Sequence, residues 1–137
     1  MKVRDVFQSI TEGADVVHEN DSIPRVIQRV SEDYKTRAVF VLNDAEQLVG
    51  IISVRDLMRV AGARYLQQDT RTVLPYLTAA KAGDIMQTPY SVSSEDEIQD
   101  ALRLAVEHDL KDIPVVEEGK VMGDLNCFEI LLNIGFE

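Results

Sequence analysis

The 137-residue chain carries a net charge of −10, from 14 Lys and Arg against 24 Asp and Glu. This acidity argues against nucleic acid or an anionic membrane surface as a partner. No apolar run reaches the roughly 18 residues of a membrane-spanning helix, so no membrane association is expected. Cys127 is the only cysteine. An intrachain disulfide is therefore excluded, and a reducing cytoplasm is the expected location.

The first predicted elements are a short lead (VRDVF, 3–7), an extended piece (ADVV, 14–17) and a helix over SIPRVIQRV (22–30). The polar run NDS (20–22) supplies a helix cap. Apolar side chains recur in this helix with the i, i+3, i+4, i+7 spacing of a helix that buries one face: Ile23, Val26, Ile27 and Val30.

A predicted β-hairpin and a second helix follow. AVFVL (38–42) and LVGII (48–52) are short, apolar and rich in β-branched residues, and the polar turn NDAEQ (43–47) separates them. An apolar helix over 54–66 comes next. The unit is therefore strand–helix–strand–strand–helix.

The same order returns in the second half of the chain. Its parts are the lead AGDIM (82–86), the extended piece YSV (90–92), a helix over EIQDALRLA (97–105), a hairpin from IPVV (113–116) and VMGDL (121–125), and an apolar helix over 128–135. Ser93 or Ser94 is expected to cap the first of these helices. The fold class is thus α+β, with two β-α-β-β-α repeats.

We divide the chain into a first repeat (1–62), a connecting segment (63–81) and a second repeat (82–137). The connecting segment is too apolar for a flexible linker, so packing against the repeats is favoured over a mobile lid. Residues 1–81 hold 11 basic and 11 acidic residues, whereas residues 82–137 hold 3 and 13. The entire acidic excess therefore belongs to the second repeat.

The stretch GIISVRD (50–56) joins a buried strand to a helix, and two interpretations of it stay open at this point. Ser53 suits the N-cap and Asp56 suits position N3, as in a capping box. The same side chains suit a ligand, because a helix N-terminus favours phosphate and a carboxylate accepts hydrogen bonds from ribose hydroxyls.

Together, the two leads, the two helix starts, IPVV and GIISVRDL resemble a tandem pair of cystathionine-β-synthase (CBS) domains over nearly the whole chain. The resemblance implies two repeats packed through their sheets with pseudo-twofold symmetry, in a module that regulates a partner and is not an enzyme. It also implies clefts for AMP, ADP, ATP or a related adenosyl compound as regulatory ligand, with no cofactor required. A homodimer and an unidentified regulated protein are the implied partners.

The family motif Gly-apolar-apolar-Ser/Thr-x-x-Asp matches GIISVRD, so the resemblance implies a ligand site at Ser53 and Asp56. Thr36 and Arg37 stand where related sites contact phosphate. Thr88 and Tyr90 lie in the segment expected to contact adenine, and the Tyr90 ring is a candidate for stacking.

The second repeat departs from the motif. Asn126 and Glu129 replace the Ser and Asp, and Lys111 precedes an acidic residue, Asp112, in place of an arginine. A phosphate is disfavoured beside an acidic side chain. We therefore expect a weaker second site at Asn126, Glu129 and Lys111, and one strong site per chain.

No catalytic residues and no metal ligands are predicted. His18 and His108 are isolated and lack ligand spacing, and neither a Gly-rich phosphate loop nor a nucleophile motif is present. The alternative to a nucleotide sensor is an interaction scaffold that binds no nucleotide and whose acidic second half contacts a basic partner.

Overall fold

The computed structural model describes residues 1–9, 16–32, 38–66 and 75–135. Contacts divide the chain into two compact units. The first-repeat unit is Gly13–Thr88, and the second-repeat unit combines Met1–Glu12 with Pro89–Glu137. Among the described residues, no helix has the length and apolar character needed to cross a bilayer.

The first-repeat unit has the predicted order of elements. Strand β2 (Val16–His18) pairs in parallel with β3 (Ala38–Leu42), which pairs antiparallel with β4 (Leu48–Ser53). Helix α1 (Ile23–Ser31) connects β2 to β3, and α2 (Val54–Tyr65) follows β4. The α+β fold class is therefore confirmed for this repeat.

The second-repeat unit contains helix α3 (Ile98–His108), strands β5 (Asp112–Glu117) and β6 (Lys120–Asn126), and helix α4 (Cys127–Asn133). Strand β1 (Gln8–Ser9) pairs antiparallel with β6, which pairs antiparallel with β5. The extended piece before α3 makes a single parallel bridge, from Val92 to Val115. From this bridge onward the unit follows the order of the first, and β1 adds a third strand to its sheet.

Each unit encloses its own apolar core. The first-repeat core joins side chains of β2, α1, β3, β4 and α2 with Ala82 and Ile85. The second-repeat core joins side chains of α3, β5, β6 and α4 with Val3 and Val92. Each sequence lead therefore packs in the core of the other repeat, and the repeats and the compact units divide the chain at different positions.

The predicted positions of the helices were correct, but one side chain that was expected to be buried in the first helix is exposed. Ser22 caps α1, accepting the Arg25 N–H at 3.2 Å. Ile23, Val26 and Val30 are buried as predicted, but Ile27 is exposed. The position of Ile27 at the margin of the apolar stripe explains this, since the sheet covers only part of the helix surface.

The predicted cap of α3 was wrong. Its N-cap is Glu97, whose N–H donates to Asp100 at 3.2 Å. Ser93 and Ser94 instead direct both hydroxyls to Oε1 of Glu117, at 2.9 and 2.6 Å. The two serine hydroxyls that the local sequence predicted to cap the helix therefore bind a carboxylate that is distant in the sequence.

Candidate functional site

The junction between β4 and α2 holds Ser53 and Asp56 in a complete capping box. Ser53 ends the strand with extended backbone angles, and its Oγ accepts the Asp56 N–H at 3.2 Å. In return, the Ser53 N–H donates to Asp56 Oδ2 at 2.9 Å. The capping interpretation of GIISVRD is therefore confirmed, because the spacing of three residues closes both hydrogen bonds within one turn.

The Asp56 carboxylate is almost fully enclosed, with 4% of the residue exposed. The Ser53 hydroxyl lies 3.0 Å from its Oδ2, and Gln87 Nε2 lies 3.4 Å from its Oδ1. Arg59 Nη1 is 4.0 Å from the same Oδ1 and balances the charge. Two carboxylate oxygens offer about four acceptor positions. The box thus leaves capacity for a further donor.

Gln87 is a neighbour of Asp56 that the sequence reasoning missed. Its backbone forms a reciprocal pair with Ile51 of β4, with N···O distances of 2.8 and 3.1 Å. This pairing fixes the segment beside α2 and brings the Gln87 amide to Asp56. The residues around Gln87 do not predict its contact with Asp56, because that contact depends on strand β4, which is distant in the sequence.

The second repeat contains the same box with a longer acid. Asn126 Oδ1 accepts the Glu129 N–H at 2.9 Å, and the Asn126 N–H donates to Glu129 Oε1 at 3.0 Å. Burial raises the pKa of the Glu129 carboxyl, and the Asn126 N–H opposes that rise. The ionised form of Glu129 is therefore less favoured than that of an exposed carboxylate.

Lys111 is brought close to this second box. Its carbonyl accepts the Cys127 N–H at 2.7 Å, and Asp112 pairs with Asn126 across β5 and β6. The structure thus gathers Lys111, Asn126 and Glu129 at one end of the second-repeat sheet. Their predicted role as a weaker ligand site stays a prediction.

Of the other predicted site residues, Thr36 and Arg37 lie outside the described residues. Thr88 is exposed, next to Gln87 in the first-repeat unit. Tyr90 belongs to the second-repeat unit, where its ring stacks on His108 with centroids 3.7 Å apart and planes inclined by 13°. One face of the Tyr90 ring is therefore covered by His108.

A model of the CBS domain matches the chain twice, over residues 3–63 and 82–134. The chain belongs to the CBS domain family. CBS domain pairs are regulatory modules that are in general not catalytic. Among the described residues, no group of three or more His, Cys, Asp or Glu side chains is arranged to hold a metal ion.

Several CBS proteins resemble this one. A CBS domain-containing protein from Thermotoga maritima is 36% identical, with a TM-score of 0.82, over 100% of this chain and 97% of that one. CBSX2 from Arabidopsis thaliana, solved in complex with AMP, is 24% identical, with a TM-score of 0.79, over 97% and 95% of the two chains. At that identity the likeness to CBSX2 concerns the fold alone.

The Meiotically up-regulated gene 70 protein of Schizosaccharomyces pombe is 34% identical over 88 residues. The match covers 62% of this chain and 10% of that protein. This CBS pair therefore spans about one tenth of the length of that curated relative.

Proposed function

We propose that this CBS pair is a regulatory module that senses an adenosine nucleotide, or a related adenosyl compound, and controls a partner protein. The observation that carries the proposal is the enclosed Asp56 carboxylate beside Ser53, where β4 meets the N-terminus of α2. A pure acceptor at this position suits vicinal ribose hydroxyls. The AMP bound by CBSX2 supports adenosine compounds as the ligand class.

In this proposal the parts of the nucleotide meet different groups. Asp56 accepts hydrogen bonds from the ribose, and Ser53 contacts ribose or phosphate. Thr36 and Arg37 bind the phosphate, while Thr88 and Tyr90 contact adenine. The first turn of a helix carries a partial positive charge, which adds to the attraction for phosphate.

We further propose one strong site per chain, built on the first repeat. In the second repeat, Glu129 is one methylene longer than the Asp56 that it replaces, so its carboxylate lies differently relative to a ribose. Lys111 is followed by Asp112, which repels phosphate. Titration calorimetry is expected to give one strong binding event per chain. Two sites of equal affinity would contradict this assignment.

The alternative function is a scaffold that needs no nucleotide. A specific observation favours it: both oxygens of Asp56 already have donors within the fold, from Ser53 and Gln87, so the carboxylate has a structural role that needs no nucleotide. The acidic second repeat would then contact a basic surface of the partner.

Thermal unfolding with AMP, ADP, ATP and S-adenosylmethionine separates the two functions. A ligand at 100 times its dissociation constant stabilises the native state by about 2.7 kcal/mol. We expect a clear rise in melting temperature with at least one of the four compounds. No rise with any of them would favour the scaffold.

A reducing compartment such as the cytoplasm remains the proposed location.

A further inference from the structure

A cleft of about 380 Å³ lies within the first-repeat unit, beside helix α1 and strand β2. Residues of α1 form one side, β2 contributes Val16 to His18, and the turn after β3 contributes Asn43 and Glu46. Its volume is in the range of small-molecule sites.

This cleft is separate from the junction that holds Ser53 and Asp56. In the β3–β4 pair, Ser53 lies opposite Ala38 at one end, and Leu42 lies opposite Leu48 at the other. Leu42 lines the cleft. The five residues from Ala38 to Leu42 are separated by four steps that together span roughly 13 Å of strand, so a small ligand in the cleft does not reach the junction.

Two arginines of the cleft have hydrogen-bond donors to spare. Arg25 and Arg29 lie four residues apart on α1 and therefore share one face of that helix, and Asp21 stands just before the N-cap Ser22. The Arg25 Nε is 3.8 Å from Asp21 Oδ1, beyond hydrogen-bonding distance. Arg29 binds Glu32 through Nη1 at 3.1 Å, but its Nε is buried and has no acceptor within the described ranges. A guanidinium has five donors, so an acceptor in the cleft would be well bound.

The acidic side chains of the cleft limit the kind of ligand that fits. Asp21, Glu32 and Glu46 outnumber the two arginines. The Asn20 N–H donates to Nδ1 of His18 at 3.0 Å, and Nε2 of His18 lies 2.7 Å from Oδ1 of Asp44.

With this balance of charges, phosphate would face three carboxylates, and a simple cation would face two guanidinium groups. A zwitterion satisfies both sets of groups.

We propose that this cleft binds an α-amino acid with an apolar side chain, at a site independent of the proposed nucleotide site. The carboxylate binds Arg25 and Arg29, and the ammonium group lies near Asp21 and Glu46. Val17 and Leu42, which also line the cleft, pack against the apolar side chain.

Calorimetry on the whole chain tests the ligand class. The probes are four amino acids, L-leucine, L-isoleucine, L-valine and L-methionine, and three further compounds. These are 4-methylpentanoate, which is leucine without the ammonium group, 3-methylbutylamine, which is leucine without the carboxylate, and inorganic phosphate. We expect saturable binding of L-leucine, L-isoleucine, L-valine or L-methionine, and clearly weaker binding of the other three probes. The proposal is overturned if no amino acid of this set saturates the site at millimolar concentration, or if an analogue or phosphate binds as well.

Arg25→Gln and Arg103→Gln form a matched pair of variants. Both arginines lie in the first two turns of a helix beside an Asp, and their side chains are 71% and 67% exposed. Removing a charged hydrogen bond should weaken amino-acid binding roughly tenfold or more in Arg25→Gln, while Arg103→Gln should bind like the unaltered chain. Equal affinities in both variants would contradict the assignment. Glu46→Gln, on the exposed turn, provides a second test and should also weaken binding.

Discussion

At the scale of single residues, Asp56 combines two roles that sequence alone does not separate. Its carboxylate accepts hydrogen bonds from Ser53 and lies beside Gln87, so it stabilises the fold with or without a ligand. We therefore expect Asp56→Asn to cost about 1 kcal/mol or more of unfolding free energy, which chemical denaturation measures.

The same variant tests the proposed site. Hydrogen bonds to a charged group contribute about 1.5–3 kcal/mol, so nucleotide affinity should fall roughly 10- to 150-fold in Asp56→Asn. Glu129→Gln, the matched change in the second repeat, should alter affinity little. Calorimetry at a temperature where both variants are folded gives the answer. Small and equal effects would leave Asp56 as a capping residue alone.

Glu117 should make stability sensitive to acid. Hydrogen bonds from the Ser94 hydroxyl and N–H, and from Ser93, lower the pKa of its carboxyl below the usual 4.5. Because the folded pKa is the lower one, this carboxylate stabilises the fold above the unfolded pKa. That contribution is lost as the pH falls through the folded pKa.

Glu117→Gln should therefore lose less stability than the unaltered chain when the pH is lowered below 4.5. Urea unfolding at neutral and acidic pH measures the difference. Glu118→Gln, at an exposed position in the turn that follows β5, is the control and should behave like the unaltered chain. An identical acid dependence in Glu117→Gln and the unaltered chain would remove the role assigned to Glu117.

At the scale of elements, strand β4 needs a glycine because another segment crosses it closely. A Cβ on Gly50 would overlap the Sδ, Cβ and Cγ atoms of Met86. The Gly of GIISVRD therefore makes room for the lead of the second repeat.

Gly50→Ala is expected to destabilise the chain by about 1–3 kcal/mol, the usual cost of overpacking. A double-mutant cycle with Met86→Gly identifies the cause. In the Met86→Gly background, the substitution of Gly50 should cost clearly less, as measured by denaturant unfolding. An unchanged cost would mean that the contact with Met86 is not the reason for the glycine.

At the scale of the whole molecule, the two leads belong to the cores of the opposite repeats. Val3 is fully buried with α3, β5 and β6, and backbone bonds join Val3 to Asp96 and Ile98 to Met1. Val3→Ala should cost about 1–3 kcal/mol of unfolding free energy. Val106→Ala, at a position 74% exposed, should cost little. Similar values for the two variants would contradict this packing.

Exposed apolar side chains on two helices support the proposed homodimer. Met58 on α2 is 67% exposed and Leu132 on α4 is 83% exposed. Phe128 and Leu131 on α4 are also exposed to solvent. Such apolar helix faces favour a covering partner. We expect light scattering at micromolar concentration to give twice the mass of one chain, and Leu132→Lys to lower that mass. A monomer mass for the unaltered chain would contradict the homodimer.

The sequence by itself determined the local structure of this CBS pair. Apolar periodicity located both hairpins and the helices, and the polar side chains Ser22 and Ser53 identified two helix caps. It also predicted the capping box at the junction of Ser53 and Asp56, although whether this box binds a ligand stays a prediction. These features were accessible because each depends on residues within a few positions of one another.

Tertiary structure decided which distant segments meet. It placed Val3 in the core of the second repeat, brought Gln87 to Asp56 and gave the Ser93 hydroxyl to Glu117 instead of to a helix end. No local pattern distinguishes these partners, because the same apolar or polar side chain suits several neighbours. The chain adopts the pairings that together bury the most apolar surface and leave the fewest polar groups unsatisfied.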